Sequence, residues 1–183
     1  MFAITPRLLL RPGWPEDAAA LFAAINDQAI VRNLARAPWP YQLNDARQFL
    51  SLPVDPARPR WLIFSRTSGT PQLVGGIGVD SRDGGDIELG YWIGRQHWGR
   101  GFATEAGRAA LQNALSLGHK RVVASHFIDN PASGSVLRKL GFKPTGHTVE
   151  LYSRARNSDV QAATFSCSLE DEAESEVMRP LAA

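Results

Sequence analysis

Residues 97–106 read HWGRGFATEA, with Gly99 and Gly101 on either side of Arg100 and Thr104 just beyond, between the apolar run IELGYWIG and a segment of helical pattern. A helix N-terminus offers unpaired N–H groups and partial positive charge, and glycines before it let an anion approach the backbone closely. Gly99 to Thr104 would form such a concavity for a phosphate; the same glycines would equally serve a plain strand-to-helix turn. GRGFAT lacks the third glycine of GxGxxG, and GxxxxGK[ST] occurs nowhere in the chain. A dinucleotide fold would also place its loop after the first strand of a parallel unit, not after an antiparallel meander. A second polar group stands in NPASGSVLRKLGF at 130–142. Ser133 is suited to cap a helix beginning at Gly134, and Asn130 to close an Asx-turn before Pro131. His97, His119 and His126 follow no Ser/His/Asp order and no metal-ligand spacing, so they read as structural or exposed residues and no metal is expected.

The elements that must position these residues are legible from pattern. RLLLRP reads as a strand and PEDAAALFAAIND as a helix with Leu21, Phe22 and Ile25 on one face. NLARAPWPYQ is irregular because of its prolines, Asn44 is suited to cap a helix over DARQFL, and SLPVDPARPR is a loop. WLIFSR, LVGGIGVDS and DIELGYWIG form a three-stranded antiparallel meander joined by TSGTPQ and RDGGD. TEAGRAALQNALSLG is a helix whose stripe of Ala103, Ala106, Gly107, Ala110, Leu111, Ala114 and Leu117 predicts unusually close packing, with Gly118 just past its end. RVVASHF is a strand, ASGSVLRKLGF a short helix, and HTVELYS with VQAATFSCSL a closing hairpin across RARNSD.

Composition bounds the class. The 183 residues are 44% hydrophobic and 21% charged, which fits one globular domain. The net charge of +2 is scattered without a basic run, so no nucleic-acid partner is expected and a small anionic ligand is. A single cysteine, Cys167, excludes an internal disulfide and a Cys-based zinc site. With no signal-peptide pattern at the N-terminus and no run of membrane-spanning length, a cytoplasmic protein without membrane association is expected. The domain is read as residues 1–169, followed by an acidic tail at 170–183 expected to fray.

Taken together these stretches resemble the GNAT superfamily of N-acetyltransferases, in particular its RimJ/RimL-like branch, which acetylates ribosomal-protein N-termini. WGRGFATEA at 98–106 resembles the acetyl-CoA pyrophosphate loop [Q/R]xxGx[G/A], with Gly101 and Ala103 at the fixed positions and Trp98 in place of Gln or Arg. IELGYWIG resembles the bulged strand that leads into it, NPASGSVLRKLGF the branch's NxxSxxxLxKxGF segment, and TPRLLLRP and the WPY at 39–41 also fit. The similarity runs from about residue 4 to 169 in consistent order.

The resemblance implies an α/β (α+β) domain: a central, mostly antiparallel twisted sheet with one splayed parallel pair, IELGYWIG and RVVASHF, and helices on both faces. Acetyl-CoA would lie in that splay. Its pantetheine arm would meet backbone freed by the bulge near Tyr91, Trp92 and Ile93, and its pyrophosphate the loop of Trp98, Gly99, Arg100, Gly101, Phe102, Ala103 and Thr104. Arg100 would pair with a phosphate or only keep the loop soluble. The resemblance makes Glu88 the candidate general base, acting through water, against a plain carboxylate on a half-exposed strand, with Glu150 as alternative. It makes Ser133 the donor to the departing sulfur and Asn130 a cofactor contact. Trp39 and Tyr41, in the region that overhangs the acceptor site in this family, are expected to meet the acceptor. The resemblance also implies a primary amine as acceptor. An α-amine with pKa about 7.7–8.0 is roughly a quarter neutral near pH 7.4, whereas a lysine at about 10.4 is about one part in a thousand neutral, so an N-terminal amine demands less of a base. A small amine (antibiotic, polyamine or amino acid) is the alternative, and a non-catalytic acyl-CoA-binding domain the rival from another class. Homodimers are common in the family.

Overall fold

The strands pair largely in chain order, with one parallel step in the middle of the sheet and the last two strands exchanged at its edge. The computed structural model describes residues 2–81 and 86–169. The acidic tail at 170–183, with the domain boundary drawn before it, and most of the RDGGD turn lie outside the described residues. The strands are β1 (Ala3–Ile4), β2 (Leu8–Arg11), β3 (Arg60–Ser65), β4 (Gln72–Ser81), β5 (Ile87–Ile93), β6 (Arg121–Phe127), β7 (Lys143–Ser153) and β8 (Ser158–Ser168). They form one sheet in the order β1-β2-β3-β4-β5-β6-β8-β7. Every neighbouring pair is antiparallel except β5–β6. The helices are α1 (Ala18–Ile25), α2 (Gln28–Val31), α3 (Leu43–Ser51), α4 (Phe102–Ser116) and α5 (Pro131–Lys139). Helix α4 supplies the crossover that a parallel pair requires.

Alternation along the strands sends side chains to two cores. One holds Ile87, Leu89 and Ile93 of β5 with Val122 and Ala124 of β6 beneath α4 and α5. The other holds Leu62 and Phe64 of β3 with Leu21, Ile25, Tyr41 and Ala46 from α1, α3 and the segment between them. Helices therefore cover both faces. The small-residue stripe does what its composition predicts: Ala106, Gly107, Ala110 and Ala114 are buried. A Cβ at Gly107 would meet Leu140 at 2.5 Å, so α5 closes tightly on α4.

Three expectations change, and two short elements are added. Helix α3 begins before Asn44 and is capped differently: Asp45 accepts the Gln42 backbone N–H at 2.8 Å, which closes the first turn and leaves Asn44 inside it. Helix α5 starts at Pro131, so Ser133 lies in its first turn and Asn130 is the cap, its side-chain oxygen accepting the Ser133 N–H at 3.4 Å. Proline at the first helical position sets this start, since it needs no N–H partner there. The β4–β5 register runs without a break from Ser81–Ile87 to Gly75–Ile93, so β5 is not bulged against β4. The irregularity sits one strand further, where Ile63 pairs with Gly75 but Phe64 with Leu73, leaving Val74 as the extra residue. Finally, β1 and α2 carry too few residues for a periodic signal.

Candidate active site

The phosphate-type loop follows β5 through a single 3₁₀ turn at Arg95–His97. Gly99 (φ 75°) and Gly101 (φ 77°) both adopt the left-handed conformation that glycine takes without steric cost. Gly101 caps α4 with no side-chain acceptor, so the N–H groups of Phe102, Ala103 and Thr104 find no partner within the helix. Glycine positions open to the solvent, uncapped amides and the helix dipole together fit the pyrophosphate of a coenzyme. Trp98 is half exposed, and its indole N–H donates to the Ile93 carbonyl at 2.7 Å and pins the loop to the end of β5. Arg100 is exposed. His97 is buried behind the loop against Phe102, and burial, assisted by the Arg100 charge, lowers its pKa.

A residue the sequence did not single out secures this loop from 98 positions away. Arg7 donates from its backbone N–H and from Nε to the Glu105 carboxylate at 2.9 and 2.7 Å, and from Nη1 to the Arg100 carbonyl at 2.9 Å. Thr5 adds a hydroxyl to Glu105 at 2.6 Å. Burial alone would raise the Glu105 pKa, but these donors outweigh it and hold the carboxyl below its usual range. A depressed folded pKa means stability that is present above the unfolded value and lost as pH falls through the folded one. The pair is half open on the Arg7 side, which limits its worth to about 1 kcal/mol. Glu105→Gln is therefore expected to lower the melting temperature at neutral pH by about 2–4 °C. That deficit should shrink as pH falls below the carboxylate range, which thermal scans at several pH values will check.

The parallel pairing of β5 with β6 comprises Ile87–Val122 and Glu88–Val123 and stops there. Beyond it Leu89–Ile93 face a widening gap, so backbone is freed by splay and not by a bulge. Tyr91 crosses toward α5 at this gap: its hydroxyl lies 2.7 Å from Ser133 Oγ and donates to the Ser133 carbonyl at 3.2 Å. Burial pushes the Tyr91 pKa up to about 12, against a lowering contact with Ser133, so the phenol keeps its proton at neutral pH. No local spacing announces this contact, which joins residues 42 apart.

On the opposite face of β5, the half-buried Glu88 accepts the Ser125 hydroxyl at 3.0 Å. Asp80 stands beside it as cross-strand partner. Gly90, two residues along on the same face, is exposed in the middle of the sheet, and a Cβ there would meet nothing within 4 Å. Trp92, next on this face, turns over β4, where a Cβ at Gly76 would meet its Nε1 at 2.6 Å. The result is an open trough with a glycine floor and Glu88 at its side. Of the aromatic pair in the proline-rich segment, Trp39 is partly exposed, whereas Tyr41 is 6% exposed and packed in the α1–α3 core. Glu150 lies on the outermost strand β7, bonded to Gln161 at 3.0 Å. By register and alternation it belongs to the face of Phe165, not to that of Glu88. His126 is held by Phe127 O at 2.8 Å and packs under Gly134, and His119 lies 3.2 Å from Ala57 O. Among the described residues no group of three or more His, Cys, Asp or Glu is placed to hold a metal, and no helix is long and apolar enough to cross a membrane.

Residues 7–143 match the acetyltransferase (GNAT) domain family, and the chain belongs to that family. A relative in Bacillus subtilis, the uncharacterized N-acetyltransferase YoaA, is 32% identical over 154 residues, covering 80% of this chain and 86% of its own. The structure resembles a GNAT-family acetyltransferase from Bacillus anthracis with a TM-score of 0.79 at 20% identity, covering 93% of this chain and 99% of the other. It also resembles RimL, the ribosomal L7/L12 alpha-N-protein acetyltransferase solved with coenzyme A, with a TM-score of 0.74 at 17% identity over 92% of this chain and 98% of that one. The protein is an acetyl-CoA-dependent N-acetyltransferase.

Proposed function

We propose that the acceptor is a primary amine that enters the Gly90 trough, foremost the N-terminal α-amine of a protein or peptide. The observation that supports this reading is the division of labour across β5. Alternation puts Glu88 on the face of the open trough and Tyr91, three residues along, on the face of Ser133. Bound at the splay, acetyl-CoA supplies an electrophilic thioester carbon and a thiol leaving group. Gly99, Gly101 and the amides of Phe102, Ala103 and Thr104 hold its pyrophosphate, and Asn130 sets the α5 turn that lines the gap. Glu88 takes the proton from the attacking nitrogen through water. Ser133 directs its O–H at the sulfur as the bond breaks. Tyr91 lies within reach of both oxygens of Ser133, and turning its single proton from the Ser133 carbonyl to Oγ frees the serine hydroxyl to point outward.

A thiol of pKa about 8.5 leaves with little assistance, which bounds the effect of the hydroxyl pair. Ser133→Ala is expected to lower kcat by about tenfold with the KM for acetyl-CoA unchanged, and Tyr91→Phe by somewhat less. If instead both raise the acetyl-CoA KM and leave kcat alone, the pair serves cofactor binding only.

The function itself is tested by thiol release from acetyl-CoA with short peptides varied at the first residue, beside polyamines and aminoglycosides. Turnover with peptide N-termini is expected. Turnover with small amines alone would replace the acceptor, and cofactor binding without turnover on any acceptor would overturn the reading.

A further inference from the structure

The trough has a charged rim that the mechanism above does not use. Residues 32–36 are strapped to the turn between β7 and β8 by backbone carbonyls. Arg154 N donates to Ala35 O at 2.9 Å, Arg154 Nη1 to Arg36 O at 3.4 Å, and Arg156 Nε to Arg32 O at 2.7 Å. These bonds bring the side chains of Arg32, Arg36, Arg154 and Arg156 into one cluster, which runs from Asp80 beside Glu88 to Phe127 at the end of β6. Arg156 forks onto Asp129 at 2.8 and 2.9 Å and covers the Phe127 ring at the end of β6, and Arg32 shares that carboxylate at 3.0 Å. Arg36 reaches Asp80 at 2.6 Å, and Asp80 is the cross-strand neighbour of Glu88. The rim thus begins one side chain from the base.

Its charges do not balance. Among the described residues two aspartates answer four guanidiniums, Arg154 bonds only a carbonyl, and Arg36 and Arg154 are both exposed. Adding the Glu88 carboxylate still leaves cations in excess. A surplus of exposed guanidiniums beside a trough draws anions and repels cations, and the planar fork of arginine suits a carboxylate or phosphate in particular. We infer that the acceptor is a primary amine with an anionic group a few bonds from its nitrogen, selected by the arginine rim formed by Arg36 and Arg154 with Arg32 and Arg156. This rests on the transferase reading above. The anionic group has two possible sources, the acidic side chains that follow a peptide N-terminus or the carboxylate of a free amino acid.

Thiol release is to be measured with Ala-Asp-Asp-Phe, Ala-Lys-Lys-Phe and free aspartate on the full chain. Expected is a KM for the acidic peptide at least about tenfold below that for the lysine peptide, with the gap closing as salt screens the rim. Efficient turnover of free aspartate would assign the small-molecule source, and its absence the peptide. Arg154→Glu is expected to narrow or invert the peptide preference with the KM for acetyl-CoA unmoved. Its backbone N–H still holds Ala35, and Arg36→Gln gives an independent second reading. Equal KM values for both peptides, or a lysine preference, overturn the inference and leave the transferase reading intact. Coenzyme binding with no turnover of any of the three, or of a wider peptide panel, overturns both.

Discussion

Glu88→Gln is expected to lower kcat/KM for the amine by about a hundredfold or more, the scale on which a positioned general base acts. The carboxylate stands at the mouth of the splay, where β5 and β6 are still paired, and Ser125 fixes it with a hydrogen bond of 3.0 Å. Glutamine keeps the shape and still accepts from Ser125 through its amide oxygen, but it cannot take a proton. The loss should therefore fall on turnover and not on the cofactor: acetyl-CoA should still raise the melting temperature of the variant as it does for the parent. The deficit should also shrink as pH rises and more of the amine is neutral without help. A variant that keeps parental kcat/KM at neutral pH would leave Glu88 as a carboxylate on a half-exposed strand and move attention to the amine's own ionisation.

Gly90→Leu is expected to abolish acceptor turnover, by more than about a hundredfold, in a protein that remains folded. The exposed glycine occupies an ordinary strand position, and a Cβ there has open space around it, so the backbone tolerates a side chain. Glycine weakens a strand interior, so the leucine variant should melt no lower than the parent. Its isobutyl group would fill the trough that Glu88 borders. Acetyl-CoA binding measured by calorimetry separates a blocked acceptor path from a damaged cofactor site. Full activity in Gly90→Leu would show that the amine arrives by another route.

Much of the fold was readable because its signals are local. RVVASHF coincides with β6 residue for residue, and the meander, the stripe on α4 and the left-handed glycines after α4 and α5 all follow from period and turn chemistry. The loop at 97–106 was legible for the same reason. What escaped joins distant parts of the chain: Arg7 to Glu105, Tyr91 to Ser133, residues 32–36 to 153–156. No window of sequence contains both partners, so type and spacing carry no trace of them. The strand bulge expected in β5 failed for a related reason, since a bulge is a property of two strands in register. Tyr41 shows the opposite hazard: an aromatic in a proline-rich segment resembles a recognition residue, yet it is buried in the α1–α3 core.

The sheet is stitched across its middle by two residue pairs, Ile87–Val122 and Glu88–Val123. On either side lie blocks that are continuous in sequence and internally antiparallel, one ending with β5 and the other beginning with β6. Each keeps its own backbone ladder if the seam parts, while the strap from residues 32–36 to the β7–β8 turn and the core beneath α4 and α5 still tie the halves together. Backbone amides at the seam, with two paired residues on each strand, should then exchange ahead of those inside β3 and β4.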